Sequence, residues 1–170
     1  MKLIGFIICI CSGFLMGNYF LENINKRYAA LKNIRQIMVA IIGEIEYTRG
    51  SISDIFLKLS RKQQSPYKEF MEYIYKETYS TNGKLSHIWT RGVEKYIRKL
   101  NLNEKDIELL NSLGGEMGSI GLNVEIENLK KYIGELDEQI LHIKEELQRK
   151  TKLYRMLGFL CGMAISIILV

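Results

Sequence analysis

His87 and His142 are the only histidines in this 170-residue chain and the first place to look for acid–base or metal chemistry. A general base near neutral pH is most often an imidazole, and a helical metal pair needs a spacing such as H-x-x-x-H. Neither histidine has such a partner, so both read as solvent-facing or structurally satisfied. Glu44 and Glu46 stand two apart, which turns them to different faces of a helix and denies them a shared carboxylate site. They read as surface glutamates, one of which could face a partner. Cys9, Cys11 and Cys161 all lie in the apolar ends, so the charged middle has no disulfide framework and no thiolate metal site. They read as small apolar residues. No local Ser-His-Asp or Cys-His signature is present. The chain is read as a non-enzyme, with no catalytic residue, no metal ligand and no cofactor.

The stretch Leu113–Gly121, LGGEMGSIG, holds Gly114, Gly115, Gly118 and Gly121, and glycines so dense could cradle a phosphate. A Walker loop needs G-x-x-x-x-G-K-[ST] between a strand and a helix; a dinucleotide loop needs G-x-G-x-x-G after a strand. This stretch has no lysine and follows a helical pattern. Glycine also ends helices and lets backbones approach closely. The stretch is therefore expected to join a helix ending near Met117 to one starting near Asn123.

The net charge of +5 and the mixed tyrosines and lysines of YKEFMEYIYKETY invite a nucleic-acid reading. Tyrosines so spaced more often form the amphipathic edge of a helix interface, and the excess charge has another explanation at the chain ends. No nucleic acid and no small-molecule substrate are expected.

The elements that hold these residues begin with two apolar ends. Leu3–Leu21 is 19 residues without a charge, ten of them Leu, Ile or Phe, where a spanning helix needs about 20. Those ten favour insertion by about −3 to −6 kcal/mol. A cleaved signal peptide is the competitor, but the run is long and no small-x-small cleavage site follows it. Met156–Val170 is 15 uncharged residues, about 22 Å at 1.5 Å per residue. It is a short span or a buried core helix; being apolar all round and terminal favours the span.

The flanks set an orientation. Lys26, Arg27, Lys32 and Arg35 follow the first run, and Arg149, Lys150, Lys152 and Arg155 precede the second. Only Lys2 lies outside the two runs. Positive charge collects on the cytoplasmic side, so both flanks put the middle in the cytoplasm. The expected organisation is a transmembrane helix over 1–21, a cytoplasmic helical domain over 22–155 and a second transmembrane helix over 156–170.

The middle has helical periodicity throughout. Ile24, Tyr28, Leu31, Ile34, Met38, Ile41 and Ile45 recur every three or four residues, continuing the first span until Arg49-Gly50. Ser51 with Asp54 is a capping start for Ile52, Ile55, Phe56 and Leu59. Ser65-Pro66 starts the next helix, with Tyr67, Phe70, Met71, Ile74 and Tyr75 on its face, and Asn82-Gly83 turns the chain. Ser86 opens a helix through Ile88, Trp89, Val93, Tyr96 and Ile97. Asn103 with Asp106 opens another through Ile107, Leu110, Leu113 and Met117. Ile126, Leu129, Ile133, Leu136, Ile140, Ile143 and Leu147 then step by alternating threes and fours, a heptad seam. It could pair with the first cytoplasmic helix or with another copy; the intramolecular bundle is favoured. No run alternates long enough to be a strand. The fold class is all-α: a bundle of about five short or medium helices plus one long C-terminal heptad helix, flanked by transmembrane helices.

MKLIG at the first span, EIEYTRGSISDIFLKLS, IWTRGVEKY, LNEKDIELLNSLGGEMG and LYRMLGFLCGMAISIIL together resemble the stage III sporulation protein AB family of endospore-forming bacteria. The resemblance covers nearly the whole chain. It implies a helical cytoplasmic domain similar to that of the F-type platform proteins of type II secretion and type IV pilus machines. It implies a structural part of the channel apparatus between mother cell and forespore, on the mother-cell side of the forespore outer membrane. It also implies a cytoplasmic ATPase partner, stage III sporulation protein AA, and other proteins of the same complex. The sequence departs from the family pattern at Ile42, where an acidic residue is common, and at Gly50-Ser51-Ile52, where a T-P-L-like turn is common. It departs again around Gly121, Asn123 and Glu125. Docking of the ATPase is expected at cytoplasmic helix ends, through Glu44, Glu46, Arg49 and Glu116. The alternative is a membrane-tethered regulator that binds a soluble partner through the heptad helix.

Overall fold

The computed structural model describes residues 2–47, 51–80, 83–116 and 122–169, with side chains at 21–47, 51–80, 83–115, 126–154 and 156. Arg49-Gly50, Asn82, Gly118 and Gly121 lie outside the described residues. Six α-helices and a π-helical turn follow one another: α1 (Lys2–Tyr47), α2 (Ile52–Ser60), α3 (Tyr67–Ser80), α4 (Leu85–Gly92), the π-turn Val93–Ile97, α5 (Glu104–Glu116) and α6 (Leu122–Leu169). The described residues contain no strand, in keeping with the absence of period-two patterning.

Two helices are long. α1 has 46 residues and α6 has 48, each about 70 Å at 1.5 Å per residue. They pack against each other. Glu46 of α1 meets Lys130 of α6, and Arg35 meets Asp137, so as one number falls the other rises and the pair is antiparallel. The start of α1 and the end of α6 therefore share one end of the pair. Among the described residues no helix is long and apolar enough to cross a membrane. Apart from Leu21 and Met156, the side chains of the two expected spans are not among those described.

The face expected for α1 is the face it buries: Leu31, Ile34, Met38, Ile41 and Ile45 are in the core, with Ile24 and Tyr28 packed at its edge. Ile37 and Ile42 are buried as well. α1 packs on both α2 and α6, and cover on two sides widens the apolar stripe beyond a single heptad row. On α6 the seam turns inward. Leu129, Leu136 and Ile143 are buried, and Ile126, Ile133, Ile140 and Leu147 pack half-buried beside them.

Short helices α2 to α5 complete the core around Trp89, which is fully buried. Phe70 meets its ring edge-on at 5.0 Å and Phe56 tilts against it at 6.2 Å. The indole N–H donates to the Leu110 carbonyl at 2.8 Å, tying α4 to α5. Ser51 is the N-cap of α2 as expected, but its hydroxyl accepts from the Ser53 N–H, while Asp54 gives its backbone N–H to the Ser51 carbonyl at 3.0 Å. Pro66 stands one residue before α3, and its carbonyl accepts from Phe70 at 3.1 Å. The helix expected to open at Ser86 starts at Leu85 instead, with Lys84 as a cap that makes no side-chain bond. It is also not α-helical to its end. Val93, Tyr96 and Ile97 lie in a π-turn, closed by Arg98 N–H donating to the Val93 carbonyl at 2.9 Å.

Candidate functional site

The last turns of α1 carry two of the expected docking residues. Glu44 accepts from Lys58 of α2 at 2.7 Å, and its side chain is mostly covered. Glu46 accepts from Lys130 of α6 at 2.8 Å, with both side chains about half exposed. The two glutamates thus face different helices, as their spacing requires, and each has a basic partner in its own chain. The Glu46 pair, exposed on both sides, contributes about 0–1 kcal/mol, so it can be exchanged for contacts to another protein at little cost. Arg49 lies outside the described residues. Glu116 is the last residue of α5, its side chain not among those described. Residues 117–121, which separate it from the start of α6, lie outside the described residues. The pairings with Lys58 and Lys130 span 14 and 84 positions, so no local pattern in the sequence marks them.

At the other end of the described bundle, near the basic flanks, sits a second polar node. The Asp106 side chain is fully buried. Arg27 of α1 grips it with two bonds, Nε at 2.7 Å and Nη2 at 2.9 Å. Asp106 also accepts the Asn103 N–H at 3.0 Å, while Asn103 accepts the Asp106 N–H at 2.8 Å. That reciprocal exchange is a capping box opening α5, here doubled as an interhelix clamp. The bond to Asp106 raises the Arg27 pKa above its ordinary value against the opposing effect of burial, and the charges of Asp106 and Glu146 add to the rise. Beside the node, Asn101 takes a left-handed φ of 50° and its amide donates to Asn23 of α1 at 2.9 Å.

Within the glycine stretch, Gly114 packs closely. Gly114 and Gly115 lie in the last turn of α5. A β-carbon at Gly114 would overlap Cδ1 and Cγ of Trp89, so this glycine is the notch into which the indole fits. His87 on α4 and His142 on α6 are both exposed. Among the described residues no three His, Cys, Asp or Glu side chains cluster closely enough to hold a metal.

The family model of stage III sporulation protein AB matches residues 2–170 of this chain. A solved structure described as stage III sporulation protein AB superposes with a TM-score of 0.67, covering 72% of this chain and 97% of that one at 13% sequence identity. At that identity the superposition speaks for the fold. No curated protein matches. With the family model covering the chain from its second residue to its last, this protein belongs to the stage III sporulation protein AB family.

Proposed function

We propose that this protein is a non-enzymatic, two-pass membrane platform of the sporulation channel complex, holding a helical domain in the cytoplasm on which the ATPase stage III sporulation protein AA docks. The observation that carries the reading is the antiparallel pairing of α1 and α6. It puts the 19 charge-free residues that follow Lys2 and the charge-free last 15 at the same end of one helix pair. A basic flank follows the first run and another precedes the second, as the cytoplasmic edge of a two-pass protein has them. The opposite end of the pair carries Glu44, held by Lys58, and Glu46, whose exposed pair with Lys130 costs little to exchange. The buried half of the heptad seam, Leu129, Leu136 and Ile143, counts against the alternative in which that seam captures a soluble partner.

Two measurements test the proposal. Alkaline carbonate washing of membranes should leave the intact chain in the pellet; release into the supernatant would end the two-anchor reading. Pull-down of the ATPase should be lost when Glu44, Glu46, Arg49 and Glu116 are all reversed in charge. Undiminished binding would remove those four residues from the docking surface.

A further inference from the structure

A groove of about 350 Å³ opens between α1 and α6, lined by Asn25 of α1 and by Leu147, Gln148, Thr151 and Lys152 of α6. Its size falls in the range of about 300–1,000 Å³ usual for small-molecule sites. The basic side chains around it are mostly committed. Lys26 pairs with Glu22 at 2.7 Å, Arg149 with Glu145 at 3.5 Å and Lys150 with Glu146 at 2.6 Å. Arg27 is held by Asp106. Lys152 lines the groove and makes no ion pair among the described residues. The groove therefore combines one uncommitted cation with two primary amides and a hydroxyl. That donor set suits an anionic oxygen cluster, which only accepts hydrogen bonds.

Its level along the pair narrows the ligand. Asn25 is four residues from Leu21, the inner edge of the first charge-free run, and Lys152 is four residues from Met156, the edge of the second. Four helical residues rise about 6 Å. The headgroup layer on each side of a bilayer is about 5–7 Å thick. Resting on the two-anchor reading above, the groove lies in that layer, open to lipid phosphate. Basic pockets between helices at this level are where anionic headgroups settle.

We propose that this groove is a binding site for the phosphate of an anionic phospholipid, with Lys152 neutralising its charge and Asn25, Gln148 and Thr151 donating hydrogen bonds. The lipid would bridge α1 and α6 at the point where both leave the cytoplasmic bundle.

The test uses the full chain reconstituted in nanodiscs of phosphatidylcholine carrying a minor share of phosphatidylglycerol, with retained lipid read by native mass spectrometry. The wild type should enrich phosphatidylglycerol. The double variant Asn25→Ala with Gln148→Ala keeps the net charge, and should lower that enrichment about tenfold. Lys152→Arg should retain it and Lys152→Gln should lose it. Diffuse attraction by the basic flank would leave the charge-conserving double variant at wild-type enrichment, and that result overturns the proposal. A second arm adds inorganic phosphate: unchanged lipid retention assigns the site to lipid, whereas displacement makes free phosphate its occupant and overturns the lipid assignment. Each disc preparation is also washed in alkaline carbonate. A chain that leaves the bilayer sinks the two-anchor reading itself; a chain that stays without lipid preference sinks only the groove.

Discussion

Gly114→Ala places a methyl group where the indole of Trp89 already is. The new carbon would overlap Cδ1 and Cγ of the ring and stand 2.8 Å from the Trp89 Cβ. The ring cannot retreat freely, because Phe70 blocks one side edge-on at 5.0 Å and Phe56 another at 6.2 Å. Its N–H is also fixed on the Leu110 carbonyl at 2.8 Å. Overpacking of this kind costs about 1–3 kcal/mol, and weakening the indole bond adds about 1 kcal/mol. Alanine's better helix propensity offsets about 1 kcal/mol. The expected net loss is about 2 kcal/mol. Trp89 is the only tryptophan in the chain, so urea titration of the full-length protein in mild detergent, followed by tryptophan emission, reads the right place. With a slope of about 1–3 kcal/mol per molar urea, the midpoint should fall by roughly 1 M. Gly115→Ala is the matched control. Nothing lies within 4 Å of its β-carbon position, so its midpoint should hold or rise by up to about 1 kcal/mol of stability. Equal midpoints for the two variants would refute the notch and reopen the question of why glycine stands at 114.

Asp106→Ala should cost about 3 kcal/mol in the same titration, because it strands the partly covered Arg27 charge as well as deleting the cap on α5; a loss below about 1 kcal/mol would show that Arg27 reaches water without it. Arg27 itself gives no pH slope near neutrality. Its pKa is raised in the folded state, so its contribution is complete at any pH below about 12 and is lost only above. Tyr67 is the alkaline-sensitive group: burial raises its pKa against a hydrogen bond with Asn33, so its contribution is complete below pH 10 and falls as pH rises past it. Tyr67→Phe should flatten stability measured between neutral pH and about pH 11, while costing about 1 kcal/mol for its bond to the Ala30 carbonyl. Leu136→Ala, at a fully buried seam position, should cost about 3 kcal/mol by circular-dichroism melting. Its effect should not change with protein concentration, since the seam is filled from within the chain.

What the sequence made legible was local. Ile34, Met38 and Ile41 announce the buried face of α1 because their spacing matches one helical turn, and Asn103-x-x-Asp106 announces the start of α5 because a capping box closes within four residues. Arg27 as the third member of that box was invisible, since it arrives from 79 positions away. The same distance effect hid the lysines that face Glu44 and Glu46. The glycine stretch was readable as a joint from what it lacked, but the need for glycine at 114 depends on where Trp89 lies, which no spacing encodes. Ser86 misled because a hydroxyl suits a helix start, whereas Lys84 begins α4 through its backbone carbonyl alone, accepting from His87 and Ile88 at 3.0 and 3.4 Å. The π-turn was out of reach for a different reason: Val93, Tyr96 and Ile97 keep their three- and four-residue spacing whether the turn closes at four residues or at five.

The polar contacts differ in kind from one end of the long pair to the other, and that difference bears on how a platform could work. At the flank end, Asp106 is sealed and shared by Arg27 and the α5 cap, so separating α1 from α5 there strands a charge. Midway, Arg35 holds Asp137 with two bonds, one of them 3.0 Å, and keeps α1 in register with α6. At the far end, Glu46 and Lys130 are exposed and bridge the same two helices for about 0–1 kcal/mol. A partner that competes for Glu46 can therefore loosen the tip of the pair without disturbing its root. If docking works this way, Glu46→Gln should weaken ATPase pull-down while leaving the urea midpoint within about 0.5 kcal/mol of wild type. Asp106→Asn should do the reverse, lowering the midpoint while the surviving folded protein still binds. A Glu46 variant as destabilised as the Asp106 variant would show that the tip is as rigid as the root and that no such gradient exists.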